Sequence, residues 1–355
     1  MFNKFNVFDG HNDVALRFFK DQQSQPIAEF LGGTSNGHID LKKARDGHLV
    51  GGLFALFSPS REIFDVGAMR GSSYDLPLPA PLDVDFARRS VIAQLSMLLE
   101  LERGSQGAVK ICRNTSEIRA AVREGQLAVV VHMEGAEAID EDLLFLDILY
   151  EAGLRSIGPV WSRHNAFGHG VPLKYPSGPD TGPGLTVAGR RLVAKCNSLG
   201  ILVDLSHITE AGFWDIAELS LSPLVATHSN VHAISNVARN LTHPQLEAIR
   251  DSNGLVGLNF ATAFLRPDGQ MRSDTPIDWM IRHLDVLIEV LGETRVGLGS
   301  DFDGAVIPVS IKDASGLPVL FEALSKSGYS DDLLNKIAYE NWISVLERTI
   351  DSKGK

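Results

Sequence analysis

Cysteine is nearly absent from this 355-residue chain: Cys112 and Cys196 are the only two, and neither stands in a CxxC pair. That excludes a disulfide framework and fits a reducing compartment. Long apolar runs are missing as well. Stretches such as LVGGLFALF, residues 49–57, are too short to cross a bilayer. The opening MFNKFNVFDG lacks the apolar segment of a secretion signal, and the closing KGK carries no lipid-anchor tail. A cytoplasmic location without a membrane partner is therefore expected. Basic charge is outnumbered, with 33 Lys and Arg against 44 Asp and Glu and a net charge of -11. Nucleic acid, which needs a basic footprint, is excluded as a partner. No GxGxxG follows a strand-like run, so a dinucleotide fingerprint is absent too.

What is present is a regular alternation. Short apolar or β-branched runs at 6–13, 49–58, 127–134, 154–162, 201–207, 224–230, 255–261 and 295–301 read as eight strands, with helical stretches between most of them. Gly125, Gly153, Gly200 and Gly254 each end a helical pattern and precede a strand, where a left-handed residue would terminate the helix. Thr242-His-Pro-Gln245 reads as a capping box. Helix–Gly–strand joints in series predict a parallel sheet, and eight strands predict a (β/α)8 TIM-type barrel. No linker or repeat divides the chain, so one domain over 1–355 is expected. Long loops are expected after strands two and four, at 59–82 and 163–186. The second holds five glycines and four prolines, the mark of a lid or binding loop.

Polar residues gather at the strand ends. Strand one ends in His11-Asn-Asp13, strand three in Glu134, strand five in His207, strand six in His228, and strand eight in Asp301 and Asp303. In a barrel all of these face one mouth. Singly, each has a plainer reading as a structural histidine or a helix N-cap. Jointly, three histidines and acids at one mouth form a metal-ligand set. No lysine stands at these strand ends to serve as a carboxylated bridge, and Glu134 lies between the flanking pairs. The expected sets are His11, Asp13 and Glu134 for one ion, and Glu134, His207 and His228 for the other. Asp301 reads as a sixth ligand or as a general acid/base. His164 reads as a carbonyl-polarising group or a loop anchor, and Arg239 as a carboxylate clamp or a surface salt bridge. His132 shares a strand face with Glu134, and His169 lies in the second loop. Asp303 is expected in a turn.

The stretches DGHND (9–13), HMEGAEAI (132–139), SRHN (162–165), GLTVAGRRLVAKCNSLGILVDLSH (184–207), PLVATHSN (223–230), ARN (238–240) and GLGSDFDG (297–304) carry a resemblance. A weaker match is IAYENW (337–342). In order and spacing the chain resembles the membrane dipeptidase (renal dipeptidase) family of zinc metallopeptidases, among the amidohydrolase-like barrels. The resemblance implies two Zn2+ per chain, bridged by Glu134 and a water or hydroxide, on the ligands read above. It implies Asp301 as the proton-transfer group, His164 as the oxyanion partner, and Arg239 as the holder of a substrate carboxylate. It implies a dipeptide substrate, tolerance of a D-residue at the C-terminal position, and a homodimer. The chain departs from the family at Glu137, where a histidine is common, and at Ser344, where an arginine is common. The alternative is a related barrel metallohydrolase acting on another amide, a lactone or a phosphoester.

Overall fold

A computed structural model describes residues 5–21, 24–61 and 65–352. Eight parallel strands line its centre: β1 (Val7–Asn12), β2 (Leu49–Phe57), β3 (Leu127–Glu134), β4 (Leu154–Gly158), β5 (Leu202–Val203), β6 (Val225–Ala226), β7 (Leu255–Asn259) and β8 (Val296–Gly299). They neighbour one another in the order β5-β4-β3-β2-β1-β8-β7-β6. A parallel bridge from Asp204 to Val225 joins β5 to β6. The result is the TIM-type barrel that the alternation predicts. β3 is buried along its whole length, with sheet on one side and helices on the other, so it reads as an unbroken LAVVVHME.

The strands are shorter than the apolar runs suggest, most of all β5 and β6. Beyond Val203 a carboxylate replaces the strand ladder. Asp204 Oδ1 accepts from the Ser206 N–H at 3.1 Å and the Thr227 N–H at 2.8 Å. One strand of the main sheet escapes the sequence pattern. Val109–Ile111 pairs with the first half of β3, and β4 takes over that edge from Val131 onward. Its three residues include Lys110 and show no apolar run to read.

Gly125, Gly153 and Gly200 have φ of 72°, 122° and 66°, the expected positive values. Gly254 does not. Asn253 takes the left-handed position at φ 55°. Gly254 is instead required by close approach, since a Cβ there would lie 1.8 Å from the Leu224 carbonyl oxygen. The Thr242 N–H donates to Gln245 Oε1 at 2.8 Å and opens the helix His243–Asp251.

Below the mouth one large side chain packs with Phe8, Leu53, Val130, Leu202, Val225 and Leu255 in a second apolar cluster. Trp342, from the terminal helix Asn341–Thr349, is fully buried. Its indole Nε1–H donates to Leu298 O at 2.9 Å. A Cβ on Gly10 or Gly297 would lie 2.3 or 2.5 Å from the indole, so strand glycines make the room.

Above the mouth the two long loops fold onto each other. Tyr74–Asp75 pairs antiparallel with Lys174–Tyr175. Lys174 Nζ lies 2.6 Å from an Asp75 carboxylate oxygen. Residues 62–64 of the first loop lie outside the described residues. Beneath this clasp Met69, Tyr74, Leu76, Val237, Ala263 and Phe264 form an apolar cluster separate from the main core. Among the described residues no helix is long and apolar enough to cross a membrane.

Candidate metal centre

Three imidazoles converge on one carboxylate. Glu134, the last residue of β3, holds Oε1 at 2.9 Å from His207 Nε2, 3.5 Å from His228 Nε2 and 3.7 Å from His11 Nε2. All four residues are buried. The His11 and His228 rings stack with centroids 3.8 Å apart. His11 sits on β1, whereas His207 and His228 lie past the ends of β5 and β6, where the chain has already left the ladder.

Asp13 reaches the same point from beyond the strand end. β1 ends at Asn12, and Asp13 is the N-cap residue of the helix Val14–Lys20. Its side chain makes no capping hydrogen bond, so the carboxylate is free to face the centre. Asp13 Oδ2 lies 3.4 Å from His11 Nε2. Ligand atoms of His11, Asp13 and Asp301 lie within 4.8 Å of one another, and so do those of His11, Glu134 and His228. Asp301 therefore joins the His11 side of the centre. It sits at φ 59°, past the end of β8, and its Oδ2 accepts from Asn259 Nδ2 at 3.0 Å. A positive φ on a non-glycine residue is uncommon and costs backbone energy.

Hydrogen bonds behind the rings fix which nitrogen faces inward. The Ser206 and Thr227 hydroxyls both donate to Asp204, at 2.6 and 2.9 Å. Thr227 Oγ1 must then accept from His228 Nδ1, 2.8 Å away. That leaves His228 Nε2 as a lone pair aimed at Glu134, the tautomer a metal ligand needs. His207 Nδ1 pairs in the same way with Ser162 Oγ at 3.0 Å. His11 has no such support, and both its ring nitrogens are buried without a hydrogen-bond partner.

The electrostatics of this group call for a cation. Burial pushes the Glu134 carboxyl well above the ordinary carboxylate range. It pushes His207 and His228 well below the ordinary imidazole range, with the Arg239 guanidinium acting in the same direction. Burial also pulls His11 down, but the charges of Glu134, Asp13 and Asp301 outweigh it and carry His11 up to about 10. A proton on His11 would thus do part of the work of a missing positive charge. The space for an ion is kept open by Gly304. A Cβ there would lie 2.1 Å from Asp13 Oδ2 and 2.6 Å from Asp301 Oδ1. Buried imidazole nitrogens without partners, paired carboxylates and a cradle that one methyl would fill suit divalent metal ions with nitrogen and oxygen ligands.

The structure places the remaining expected residues differently. Arg239 is buried, not engaged at the surface. One Nη donates to the Ser206 carbonyl and the other to His228 O at 3.1 Å, and Nε is left unpartnered. Burial lowers the guanidinium to about 10. His164 packs edge-on against His169, with centroids 4.5 Å apart and Nδ1 unpartnered. Neither His164 nor Arg239 is brought into the lining of the central cavity. His132 lies behind the centre, with Nδ1 2.8 Å from Ser156 Oγ and its ring edge-on to His11. Asp303 stands in a turn at φ 69°, where Arg17 Nη1 meets it at 2.7 Å.

Sequence reasoning passed over Asp9, Asp204, Asn259 and Gly304. Asp9 shares the face of His11 two residues on, and there it accepts from the Ser300 N–H at 2.7 Å and the Ser300 hydroxyl at 2.8 Å, tying β1 to the end of β8. Its position in DGHND was the available signal.

The centre opens into a cavity of about 580 Å³. Asp13, Glu134, His207 and Asp301 line it, together with Phe57 and Trp161.

Comparison with known proteins places this geometry among peptidases. The family model described as "Membrane dipeptidase (Peptidase family M19)" matches residues 1–354. A metallo peptidase from Rhodobacter sphaeroides, crystallised with a phosphinate mimic of the dipeptide L-Ala-D-Ala, is 48% identical, with a TM-score of 0.96 over 98% of this chain and 100% of that one. The crystal structure of dipeptidase AC, a metallo peptidase, is 47% identical, with a TM-score of 0.96 over 99% of this chain and 100% of that one. The "Uncharacterized protein in pqqA 5'region" of Klebsiella pneumoniae is 48% identical over 254 residues, 72% of this chain and 94% of that protein.

Proposed function

Because the chain belongs to the membrane dipeptidase family, peptidase family M19, we propose that it is a di-zinc dipeptidase cleaving dipeptides with a free C-terminal carboxylate, and that it accepts a D-residue at the C-terminal position. The observation that carries this reading is the convergence of His11, His207 and His228 Nε2 on Glu134 Oε1, within 3.7 Å, at the floor of a cavity. The L-Ala-D-Ala mimic held by the Rhodobacter sphaeroides relative supports the substrate class.

His11, Asp13 and Glu134 would hold one ion, with Asp301 beside them, and Glu134, His207 and His228 the other. Bound zinc would supply Lewis acidity toward the peptide carbonyl and a water acidic enough to attack at neutral pH. Asp301 would carry a proton to the leaving amine. Its environment raises its carboxyl, chiefly by burial, which suits a group that must hold a proton and release it. Asn259 on Oδ2 leaves Oδ1 as the working oxygen. Arg239 would meet the substrate carboxylate through its unpartnered Nε–H, its Nη groups being tied to backbone carbonyls. His164 would steady the carbonyl oxygen through a ring turned away from His169.

A panel of L-L and L-D dipeptides against the zinc-loaded protein tests this. Hydrolysis of L-Ala-D-Ala with refusal of its C-terminal amide is the expected result. Equal cleavage of acid and amide would remove the carboxylate requirement. A chain that binds zinc and cleaves no dipeptide would overturn the reading.

A further inference from the structure

The loop clasp builds more than a cover. The Met271 N–H donates to Met69 O at 2.8 Å, and the Leu76 N–H to Leu173 O at 3.0 Å. These bonds stitch the first long loop to the second and to the segment after β7. Met69, Leu173, Phe264 and Met271 all belong to the apolar cluster under the clasp or pack against it. All four also line the cavity above the centre. One face of the apolar cluster is therefore the wall of the site.

We propose that this wall is a side-chain pocket that selects dipeptides carrying one large apolar side chain. The proposal rests on the dipeptidase reading and narrows its substrate. Three features support it. The cavity, at about 580 Å³, is of the size that encloses a drug-sized ligand, more than two alanines fill. Two methionines, Met69 and Met271, line the wall and are joined by one backbone hydrogen bond, and methionine adapts to apolar shapes without a fixed contour. The charged groups of the lining belong elsewhere. Asp13, Glu134, His207 and Asp301 form the centre, and Asp303 is paired with Arg17. Among the described lining residues Lys20 is the remaining charge, and it is exposed. A charged substrate side chain buried against the wall would lose its hydration without a counter-charge.

The test is a kcat/KM series on the zinc-loaded enzyme. Dipeptides pair alanine with Leu, Phe, Asp or Lys at either position, and Ala-Ala is the reference. The best Leu or Phe substrate should exceed Ala-Ala by about tenfold or more, the worth of a few buried methylenes. Met271→Glu should cut that ratio about tenfold and raise the ratio for the Lys substrate. Circular dichroism and zinc content verify that the variant is folded and loaded. An Asp substrate ranking first would assign selection to Lys20 and overturn the proposal. So would Ala-Ala ranking first, or a ratio unmoved by Met271→Glu. Each of these three results leaves the dipeptidase reading standing, whereas a metal-loaded chain that cleaves none of the series would overturn that reading itself.

Discussion

Two histidines in this molecule are equally buried and could hardly differ more. His283 lies in the helix Asp278–Leu291 and His11 on β1, and both are 0% exposed. His283 Nδ1 accepts from the Val231 N–H at 3.1 Å, and its Nε2–H donates to Leu265 O at 3.0 Å. Both nitrogens are satisfied, and burial drives the ring down to about 4, so it stays neutral. His11 has neither nitrogen satisfied and sits among carboxylates that push it up to about 10. Burial alone therefore says nothing about function. Unpartnered nitrogens facing carboxylates do, because Glu134, Asp13 and Asp301 surround His11 where His283 meets only backbone groups.

The sharpest way to break this contrast is to remove each ring. His11→Ala should lower kcat/KM by about a thousandfold or more, the several kcal/mol that loss of a metal ligand costs a metal-dependent reaction. Steady-state assays on the purified variant check this, and a loss below tenfold would return His11 to a structural role. His283→Ala should do the reverse. It orphans the Val231 N–H and the Leu265 carbonyl and leaves a cavity, so urea melts should show a loss of about 2–4 kcal/mol. The kcat/KM of the folded fraction should stay near wild type.

Acid should act through His283 in the same sense. Its folded pKa of about 4 lies below the unfolded value near 6.5, so the unfolded chain takes up the proton first. Its contribution is complete above pH 6.5 and falls as pH drops toward 4, by roughly 3 kcal/mol. Melts of His283→Gln across that window should show a shallower decline than wild type. A parallel decline would place the acid sensitivity elsewhere.

The smallest effect concerns the support behind the ligands. Thr227→Val keeps the shape but removes the hydroxyl between Asp204 and His228 Nδ1. Zinc affinity should fall about 10–100-fold, as when an outer partner of a ligating histidine is lost. Competition with a chelator measures it. Unchanged affinity would mean that packing alone sets the ring.

The barrel and the His, Asp and Glu residues of the centre were legible in the sequence, because helix–Gly–strand joints and polar strand ends are local patterns. The route by which they meet was less so. The sequence pattern carries strand one through Asp13, whereas β1 stops at Asn12 and Asp13 arrives as an N-cap without a cap bond. β5 and β6 were read as long strands, yet His207 and His228 lie beyond them because Asp204 takes over the ladder's hydrogen bonds. That substitution is a tertiary contact between residues 23 apart and leaves no periodic trace. Gly304 was invisible for the same reason. Its importance lies in what a methyl would strike across the mouth. The wall of Met69 and Met271 needs two distant segments to meet, so neither residue stands out alone.

From the unpartnered nitrogens of His11 we infer a two-ion centre around Glu134. The most direct test is the zinc content per chain after reconstitution and gel filtration, measured by mass spectrometry for the wild type and His11→Ala. Two zinc ions per wild-type chain, and a loss of at least one in the variant, are the expected result. Less than one zinc per wild-type chain, or two retained without His11, would contradict it.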